Sequence, residues 1–295
     1  MSTLPEFPDP AAEPMDDREV ARQALATLDL TSLKGDEDPA AIDALVERAA
    51  LPAGAPAALC VYPAWVARAR RGLTARGLGS VRVATVVGFP RGDASPAQLT
   101  LEIERALESG ADEIDMVLPW RALKAAADGQ ALEGLTVEAA DGAARAAVAA
   151  ARLACGPRPL KVILESGELA SDALVERAAD LALEEGADFI KTSTGKASVH
   201  ATPTAVQTML RALGRHEART GRAAGLKVAG GVQTLAEARL YLDRARSAWG
   251  PAPIGPQRWR FGASSLWPVL VEALRPGTDP ARDRDAGSPA STGGY

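Results

Sequence analysis

Short runs of β-branched and aliphatic residues alternate with longer amphipathic stretches along most of this chain. The short runs predict strands at residues 25–30, 57–61, 81–87, 113–117, 160–164, 189–192, 226–229 and 259–262. The longer stretches predict helices at residues 39–50, 63–75, 96–109, 136–153, 171–185, 204–219 and 234–248, with a last helix after Ser264. Strands that alternate with helices are typical of parallel βα units. Eight units are the number that closes a (β/α)₈ TIM barrel.

Local signals support the predicted helices. Asp38, Ser95 and Thr202 each precede a proline, which pairs a capping side chain with the residue best suited to the first helical position. The sequence Gly-Ala-Asp follows two predicted helices, at residues 110–112 and 186–188. An open doubly wound sheet is the alternative α/β fold, but no GxGxxG motif follows the first strand.

The length of 295 residues exceeds the roughly 250 residues that one barrel commonly uses. Residues 1–17 are rich in proline and acidic side chains, and residues 276–295 contain almost no apolar side chain apart from the terminal Tyr295. We therefore expect a single barrel domain at residues 18–275, a disordered N-terminal arm at 1–17 and a flexible C-terminal tail at 276–295.

Composition excludes several classes of protein. The net charge of −5 gives no reason to expect nucleic acid as a partner. The two cysteines, Cys60 and Cys155, and the two histidines, His200 and His216, form no metal-binding pattern, so we expect neither a metal nor another cofactor. No apolar run approaches the ~20 residues that span a membrane, and we expect a cytoplasmic protein.

The segment DFIKTSTGK at residues 188–196 carries the strongest chemical signal. Lys191 ends an apolar strand, and a loop of small hydroxyl residues and glycine follows it. In a TIM barrel this position faces the catalytic mouth. Burial lowers the pKa of a lysine, and a neutral amine can attack a carbonyl to form a Schiff base. A lysine that merely caps the strand from outside is the alternative.

A second lysine, Lys227, lies in the next predicted strand, before Gly230 and Gly231. Two facing ammonium groups repel each other, so one is pushed towards neutrality, which activates it as a nucleophile. We expect the small residues Gly225 and Ala229 to leave room for the Lys227 side chain.

Acidic residues occupy another predicted strand. Glu113 and Asp115 share one strand face, which cannot enter a dry core without partners. A mouth with two lysines supplies those partners, and Asp115 could balance their charge and relay protons. A purely structural ion pair is the alternative. Lys161 and Glu165 also share a strand face, and we expect them to support the site as charge partners.

Glycine-containing loops follow the last three predicted strands. Backbone N–H groups in such loops, together with hydroxyls and an ammonium group, suit a phosphate ester. The residues concerned are Gly195, Lys196, Gly230, Gly231, Gly262, Ser264 and Ser265.

These motifs, in this order, resemble those of the deoxyribose-phosphate aldolase family. The resemblance covers residues 20–275, and the most specific part is KTSTGK at residues 191–196. It also includes the stretches at residues 28–31, 60–63, 110–115, 160–165, 227–231 and 261–266. The resemblance implies a metal-free class I aldolase that reversibly cleaves 2-deoxy-D-ribose 5-phosphate to acetaldehyde and D-glyceraldehyde 3-phosphate.

The resemblance also implies roles for individual residues. Lys191 would form the Schiff base, Lys227 would lower its pKa, and Asp115 would join the proton relay. Tyr295 would assist proton transfer, since some members of the family end in a tyrosine. The residues implied to line or support the substrate pocket and to hold the phosphate are Thr31, Cys60, Lys161, Thr194 and the seven loop residues named above.

Three departures from the family pattern bear on substrate range. Gln233 stands where members often have arginine, Leu226 replaces a frequent phenylalanine, and residues 125–136 form a longer segment than usual. Two other functions stay open: another phosphosugar lyase or isomerase on the same barrel, and a non-catalytic phosphosugar-binding protein. Barrels of this kind often form homodimers, so a homodimer is an expectation by analogy.

Overall fold

The computed structural model describes residues 14–129 and 136–275. Eight parallel strands form a closed barrel in chain order, because β1 pairs with both β2 and β8. The strands are β1 (Leu28–Ser32), β2 (Ala58–Val61), β3 (Arg82–Val87), β4 (Glu113–Val117), β5 (Leu160–Ile163), β6 (Phe189–Lys191), β7 (Gly225–Ala229) and β8 (Trp259–Ala263). The predicted (β/α)₈ barrel is therefore confirmed, and closure excludes the open sheet.

Helices alternate with the strands and surround the barrel. They are α1 (Asp17–Ala26), α2 (Pro39–Arg48), α3 (Val66–Ala75), α4 (Pro96–Glu108), α5 (Trp120–Ala127), α6 (Val137–Cys155), α7 (Ser166–Leu169), α8 (Asp172–Glu184), α9 (Pro203–Thr220), α10 (Leu235–Trp249) and α11 (Leu266–Ala273). A 3-10 turn at Pro63–Trp65 precedes α3. Within the described residues, no helix is both long and apolar enough to cross a lipid bilayer.

Capping side chains fix where the helices begin. The carboxylate of Asp38 accepts the backbone N–H of Ala41, and Thr202 does the same for Ala205. Ser95 forms a reciprocal capping box with Gln98. Each cap satisfies a donor that the first helical turn leaves free, so the predicted starts at these three residues are confirmed.

The repeated Gly-Ala-Asp turn has one structural task in both copies. Asp112 accepts the backbone N–H of Val83, and Asp188 accepts that of Leu160. In each case the aspartate directly before one strand accepts a hydrogen bond from the beginning of the preceding strand. An arginine pairs with each aspartate from outside, Arg152 in the case of Asp188.

The first strand is displaced from its predicted position. Residue 25 was expected to begin a strand, but Leu25 is buried on α1, and β1 starts at Leu28. The apolar residues of α1 face the neighbouring helices α10 and α11, a tertiary contact that overrides the local strand pattern. The helices α1, α5 and α7 were not predicted.

The barrel domain also starts earlier than residue 18. Met15 is buried, and the guanidinium of Arg239 donates to its carbonyl and pairs with Asp17. These contacts attach residues 15–17 to the barrel instead of leaving them in the arm. The rest of the predicted arm, residues 1–13, and the whole predicted tail lie outside the described residues.

Apolar side chains form two separate clusters. The larger one fills the space between the strands and the helices. The smaller one lies around β2 and β3 and contains Leu33, Ala58, Cys60, Ala84 and Val86. Charged side chains from the other strands occupy the rest of the barrel interior, and they form the site described next.

Candidate active site

A cluster of seven charged side chains is buried inside the barrel. It consists of Asp29, Glu113, Asp115, Lys161, Lys191, Lys227 and Arg260, none of them more than 5 % exposed. They come from β1, β4, β5, β6, β7 and β8. Buried charges are costly unless they are paired, so their mutual contacts decide which of them stay ionised.

Asp115 is the centre of the cluster. Its Oδ1 accepts from the Nζ of Lys161 at 2.8 Å. Its Oδ2 accepts from Lys191 at 2.8 Å and from Lys227 at 2.7 Å. Burial opposes ionisation of Asp115, but the three lysines outweigh burial and hold its pKa well below the ordinary value. Asp115 is therefore a carboxylate that draws all three lysines together.

Asp29 on β1 and Arg260 on β8 form the remaining contacts of the cluster. Asp29 accepts from Lys227 at 2.5 Å and from Arg260 at 2.5 Å. Arg260 also donates to Glu113 at 2.7 Å, and Glu113 lies 2.7 Å from the Nζ of Lys161. Burial opposes ionisation of Asp29, but Lys227 and Arg260 outweigh it and lower the pKa of Asp29.

The charge balance of the cluster favours the neutral form of Lys191. Lys161, Lys227 and Arg260 carry three positive charges, and the three carboxylates carry three negative ones. The cluster is therefore neutral when the Lys191 amine is neutral. Burial and the neighbouring Lys227 lower the pKa of Lys191, although Asp115 opposes the shift.

The partner lysines behave in the opposite way. Burial acts against the ammonium form of Lys227 as well, but Asp115 and Asp29 outweigh it and raise the pKa. The carboxylates around Lys161 likewise raise its pKa against burial. The expectation that one of two facing lysines is driven towards neutrality agrees with these directions, and Lys191 is the one.

Strand register brings the lysines together. Lys191 and Lys227 are direct cross-strand partners on β6 and β7. Room for the long Lys227 side chain comes from Gly262 on β8, because a Cβ there would lie 2.9 Å from the Cε of Lys227. The expectation for Gly225 was wrong, since the ring of Phe189 fills the space over it.

A cavity of about 250 Å³ opens above the cluster at the carboxyl ends of the strands. Ten of the residues proposed from sequence line it: Thr31, Lys191, Thr194, Gly195, Lys196, Gly230, Gly231, Gly262, Ser264 and Ser265. An amine with a lowered pKa thus stands beside a small cavity whose rim carries hydroxyls, glycine backbone and the Lys196 side chain. This arrangement suits the attack of an amine on a carbonyl compound with an anionic end.

Comparison with known proteins identifies the family. The sequence model of the DeoC/LacD family aldolases matches residues 14–266. The chain belongs to the DeoC/LacD aldolase family. It is 41 % identical over 266 residues to a curated deoxyribose-phosphate aldolase of Agrobacterium fabrum (strain C58), covering 90 % of this chain and 95 % of that one.

Solved structures agree with this family. A Toxoplasma gondii protein provisionally named a deoxyribose-phosphate aldolase has a TM-score of 0.78 at 28 % identity, covering 87 % of this chain and 94 % of that one. The deoxyribose phosphate aldolase of Aeropyrum pernix, described as tetrameric, has a TM-score of 0.62 at 25 % identity, with 86 % and 91 % covered. The fold and family expected from the sequence are therefore confirmed.

Four residues proposed for the aldolase site lie outside the lining of the cavity. Asp115, Lys161 and Lys227 are buried in the charged cluster. Cys60 is fully buried in the small apolar cluster, where burial raises the pKa of its thiol. These four side chains can support the site of the aldolase but do not line its cavity. Tyr295 lies outside the described residues.

Lys161 lies in the charged cluster, but the expectation that Glu165 shares its strand face was wrong. β5 ends at Ile163, and Glu165 has a left-handed backbone with φ of 56°. Its carboxylate accepts from the hydroxyl and backbone N–H of Thr194, and Lys161 turns to Asp115 and Glu113 instead. The Thr194 hydroxyl also accepts the N–H of Lys196. Thr194 therefore shapes the loop of the aldolase cavity with a hydroxyl that is already bonded on both sides.

Sequence reasoning assigned no role to Asp29, Arg260, Lys34 or His200. Asp29 and Arg260 belong to the charged cluster, while Lys34 and His200 line the aldolase cavity. For the first two, a signal was available, because a charged residue between apolar neighbours in a buried strand needs a partner. For the two cavity residues, which lie in loops, no such signal exists.

Proposed function

We propose that this protein is a class I aldolase that reversibly cleaves 2-deoxy-D-ribose 5-phosphate to acetaldehyde and D-glyceraldehyde 3-phosphate. The observation that carries the proposal is the Lys191 amine, which lies beside the cavity and whose neutral form balances the buried cluster. The names of the relatives supply the substrate class.

In the proposed mechanism, Lys191 is the nucleophile. Its neutral Nζ adds to the C1 carbonyl of the open-chain sugar, and the resulting carbinolamine takes up a proton from solvent and loses water to give an iminium ion. Lys227 keeps its proton throughout, since Asp29 and Asp115 both stabilise its ammonium form. It therefore favours the neutral form of Lys191 without competing for the carbonyl.

Cleavage follows when the C3 hydroxyl loses its proton. The electron pair of that O–H bond forms the new carbonyl, the C2–C3 bond breaks, and its electrons move to the iminium nitrogen to give a neutral enamine. Asp115 does not line the cavity, but its Oδ2 lies 2.8 Å from the Lys191 nitrogen, so it is proposed to receive this proton through a relay and not directly from the sugar. Protonation of the enamine at C2 and hydrolysis release acetaldehyde and restore Lys191.

The loops after β6, β7 and β8 form the proposed phosphate end of the site. Lys196 supplies positive charge there, and the Ser264 and Ser265 hydroxyls stand beside the first turn of α11. Helix N-termini and glycine backbone N–H groups favour anions. Thr31 on the neighbouring strand β1 also lines the cavity, and its hydroxyl donates to the Asp29 carbonyl at 2.8 Å.

Tyr295 is proposed to assist protonation of the enamine from the C-terminal tail. Removal of this one residue is expected to lower turnover and to leave the trapping of the Schiff base unchanged. A variant that turns over at the wild-type rate would remove Tyr295 from the mechanism.

Trapping with borohydride tests the nucleophile. Wild type incubated with acetaldehyde and reduced should carry a two-carbon adduct on Lys191, located by peptide mass spectrometry. Lys191→Ala should show no adduct there and no cleavage. Lys34→Ala is the matched control, because it removes another lysine of the same cavity and should keep the adduct.

The same experiment separates the alternatives. A Lys191→Ala variant that still converts a sugar phosphate would favour a different phosphosugar enzyme. A wild type that binds deoxyribose 5-phosphate without cleaving it would favour a binding protein.

The location, partners and oligomeric state of the enzyme are also proposals. We infer a cytoplasmic enzyme that acts on small molecules, binds no nucleic acid and forms a homodimer built on the barrel domain. The negative net charge of the chain supports the absence of nucleic acid. Light scattering coupled to size-exclusion chromatography distinguishes a dimer from a monomer or a tetramer.

A further inference from the structure

His200 lines the cavity on the side of the proposed phosphate end. It lies between β6 and α9, and Lys196, Gly230 and Gly231 line the same cavity. The mechanism above does not use it. Its imidazole can donate a hydrogen bond to an anion whether it is neutral or charged.

The two nitrogens of this imidazole have different surroundings. Nδ1 is buried without a hydrogen-bond partner. It lies against Gly230, where a Cβ would come within 3.1 Å of it. Nε2 is not buried, and it makes no hydrogen bond within residues 14–129 and 136–275. The Nδ1 edge of the ring is therefore covered by the backbone at Gly230, whereas the Nε2 edge is accessible to a ligand.

This asymmetry favours one tautomer. A neutral imidazole carries a single N–H, and a buried N–H without an acceptor is costly. The proton therefore belongs on Nε2, where water or a ligand can accept it. His200 thus keeps a free N–H donor at the wall of the cavity.

The loop around His200 is fixed on both sides. Oε1 of Glu168 accepts the backbone N–H groups of Ser198 and Val199 and the Ser198 hydroxyl. The Tyr241 hydroxyl donates to the carbonyl of Ala201 at 3.2 Å. Since these bonds flank the histidine, the ring is held in place before any ligand arrives, which reduces the entropy cost of binding.

The neighbouring loop supplies no cation to this part of the wall. Gln233, which follows Gly231 and Val232, does not line the cavity, and its backbone N–H is bonded to Glu237. Lys34 and Lys196 both line the cavity, and the Nζ of Lys196 lies 3.4 Å from the carbonyl of Lys34. A doubly charged phosphate has oxygens left over for another strong donor.

We propose that His200 is a specificity-determining residue whose Nε2–H donates to the phosphate of the substrate. This inference rests on the proposed function, since it assigns a further ligand to the phosphate end of the same site. It predicts that the imidazole contributes to selection of phosphorylated over unphosphorylated substrate and takes no part in the chemistry at Lys191.

Two variants test which nitrogen acts. In His200→Gln the amide nitrogen can occupy the position of Nε2, whereas in His200→Asn it reaches only the position of Nδ1, against Gly230. We expect His200→Asn to lower kcat/KM for deoxyribose 5-phosphate about tenfold, through KM, as expected for a lost hydrogen bond to a charged group. His200→Gln should retain most of the activity, and both variants should cleave unphosphorylated 2-deoxyribose as wild type does.

Equal losses on both substrates would overturn the inference, because they would indicate a structural role. A His200→Gln variant as impaired as His200→Asn would overturn the assignment to Nε2. Thermal melting of both variants shows whether they fold. Wild type that fails to cleave deoxyribose 5-phosphate would refute the proposed function instead.

Binding of inorganic phosphate tests His200 without turnover. Isothermal titration calorimetry should show binding to wild type and to His200→Gln, and about tenfold weaker binding to His200→Asn. Equal binding by all three proteins, or no binding by any of them, would overturn the inference.

Discussion

Replacing Lys227 with methionine tests whether charge balance keeps Lys191 neutral. Methionine nearly preserves the length of the side chain and removes its charge. The cluster then holds two positive groups against three carboxylates, so a proton on Lys191 restores neutrality. We expect the pKa of Lys191 to rise and less of the nucleophilic amine to be present at neutral pH.

The size of the effect follows from the geometry. One oxygen of Asp115 lies 2.8 Å from the Lys191 nitrogen and 2.7 Å from the Lys227 nitrogen, so the two nitrogens are at most about 5.5 Å apart. Two unit charges at about 5 Å repel by about 3 kcal/mol at an effective dielectric constant of about 20. That energy corresponds to about a hundredfold change in the neutral fraction.

The rate of borohydride trapping with acetaldehyde, measured against pH, is the assay. In Lys227→Met the rate at pH 7 should fall about a hundredfold and recover as pH rises, because alkali restores the neutral amine. Lys124→Met is the control, since it removes a lysine that is paired with Asp128 at the surface. Its profile should match that of wild type, because water screens surface charges.

Two results would refute the reasoning. A Lys227→Met profile with the wild-type midpoint would show that Lys227 does not set the charge of Lys191. A loss of the same size at every pH would show that Lys227 acts on the reaction by another route. Circular dichroism establishes that the variant is folded.

Three further predictions concern stability, each measured by urea denaturation. Gly262→Ala places a methyl group 2.9 Å from the Cε of Lys227 and should cost about 1–3 kcal/mol; an unchanged midpoint would contradict this. Ala170→Gly relieves an exposed left-handed residue with φ of 59° and should stabilise the protein by about 0.5–1 kcal/mol, and a loss would count against it. The lowered pKa of Asp29 contributes stability that is lost as pH falls below about 4, so Asp29→Asn should flatten that acid decline; a slope equal to that of wild type would argue against the pairing.

The barrel and its buried lysines were predictable because their signals are local. Eight strand patterns between amphipathic stretches specify the closed sheet, and a lysine in an apolar strand needs a buried partner. For Lys191, Lys227 and Asp115, the sequence therefore indicated side chains that lie together in the barrel, and strand register placed the two lysines side by side.

The ion-pair partner of each charged side chain was not predictable, because it depends on where each strand ends and on which strands become neighbours. Lys161 and Glu165 share a face only if the strand continues, and the left-handed backbone at Glu165 turns its carboxylate to Thr194. The link between Asp29 and Arg260 exists only because β1 closes on β8. Short-range patterns do not show which side chains that closure brings together.

The neutrality of the buried cluster has a consequence for the energy profile of catalysis. In the proposed mechanism, the iminium ion on Lys191 is cationic at every pH, so covalent attachment brings one unit of positive charge into the interior. When the C2–C3 bond breaks, the nitrogen becomes neutral while Asp115 takes up a proton. The surplus charge then moves about 3 Å, the 2.8 Å between nitrogen and carboxylate, and is neither created nor destroyed. The interior thus bears the electrostatic cost of one charge once, at attachment, and bond cleavage proceeds at constant total charge.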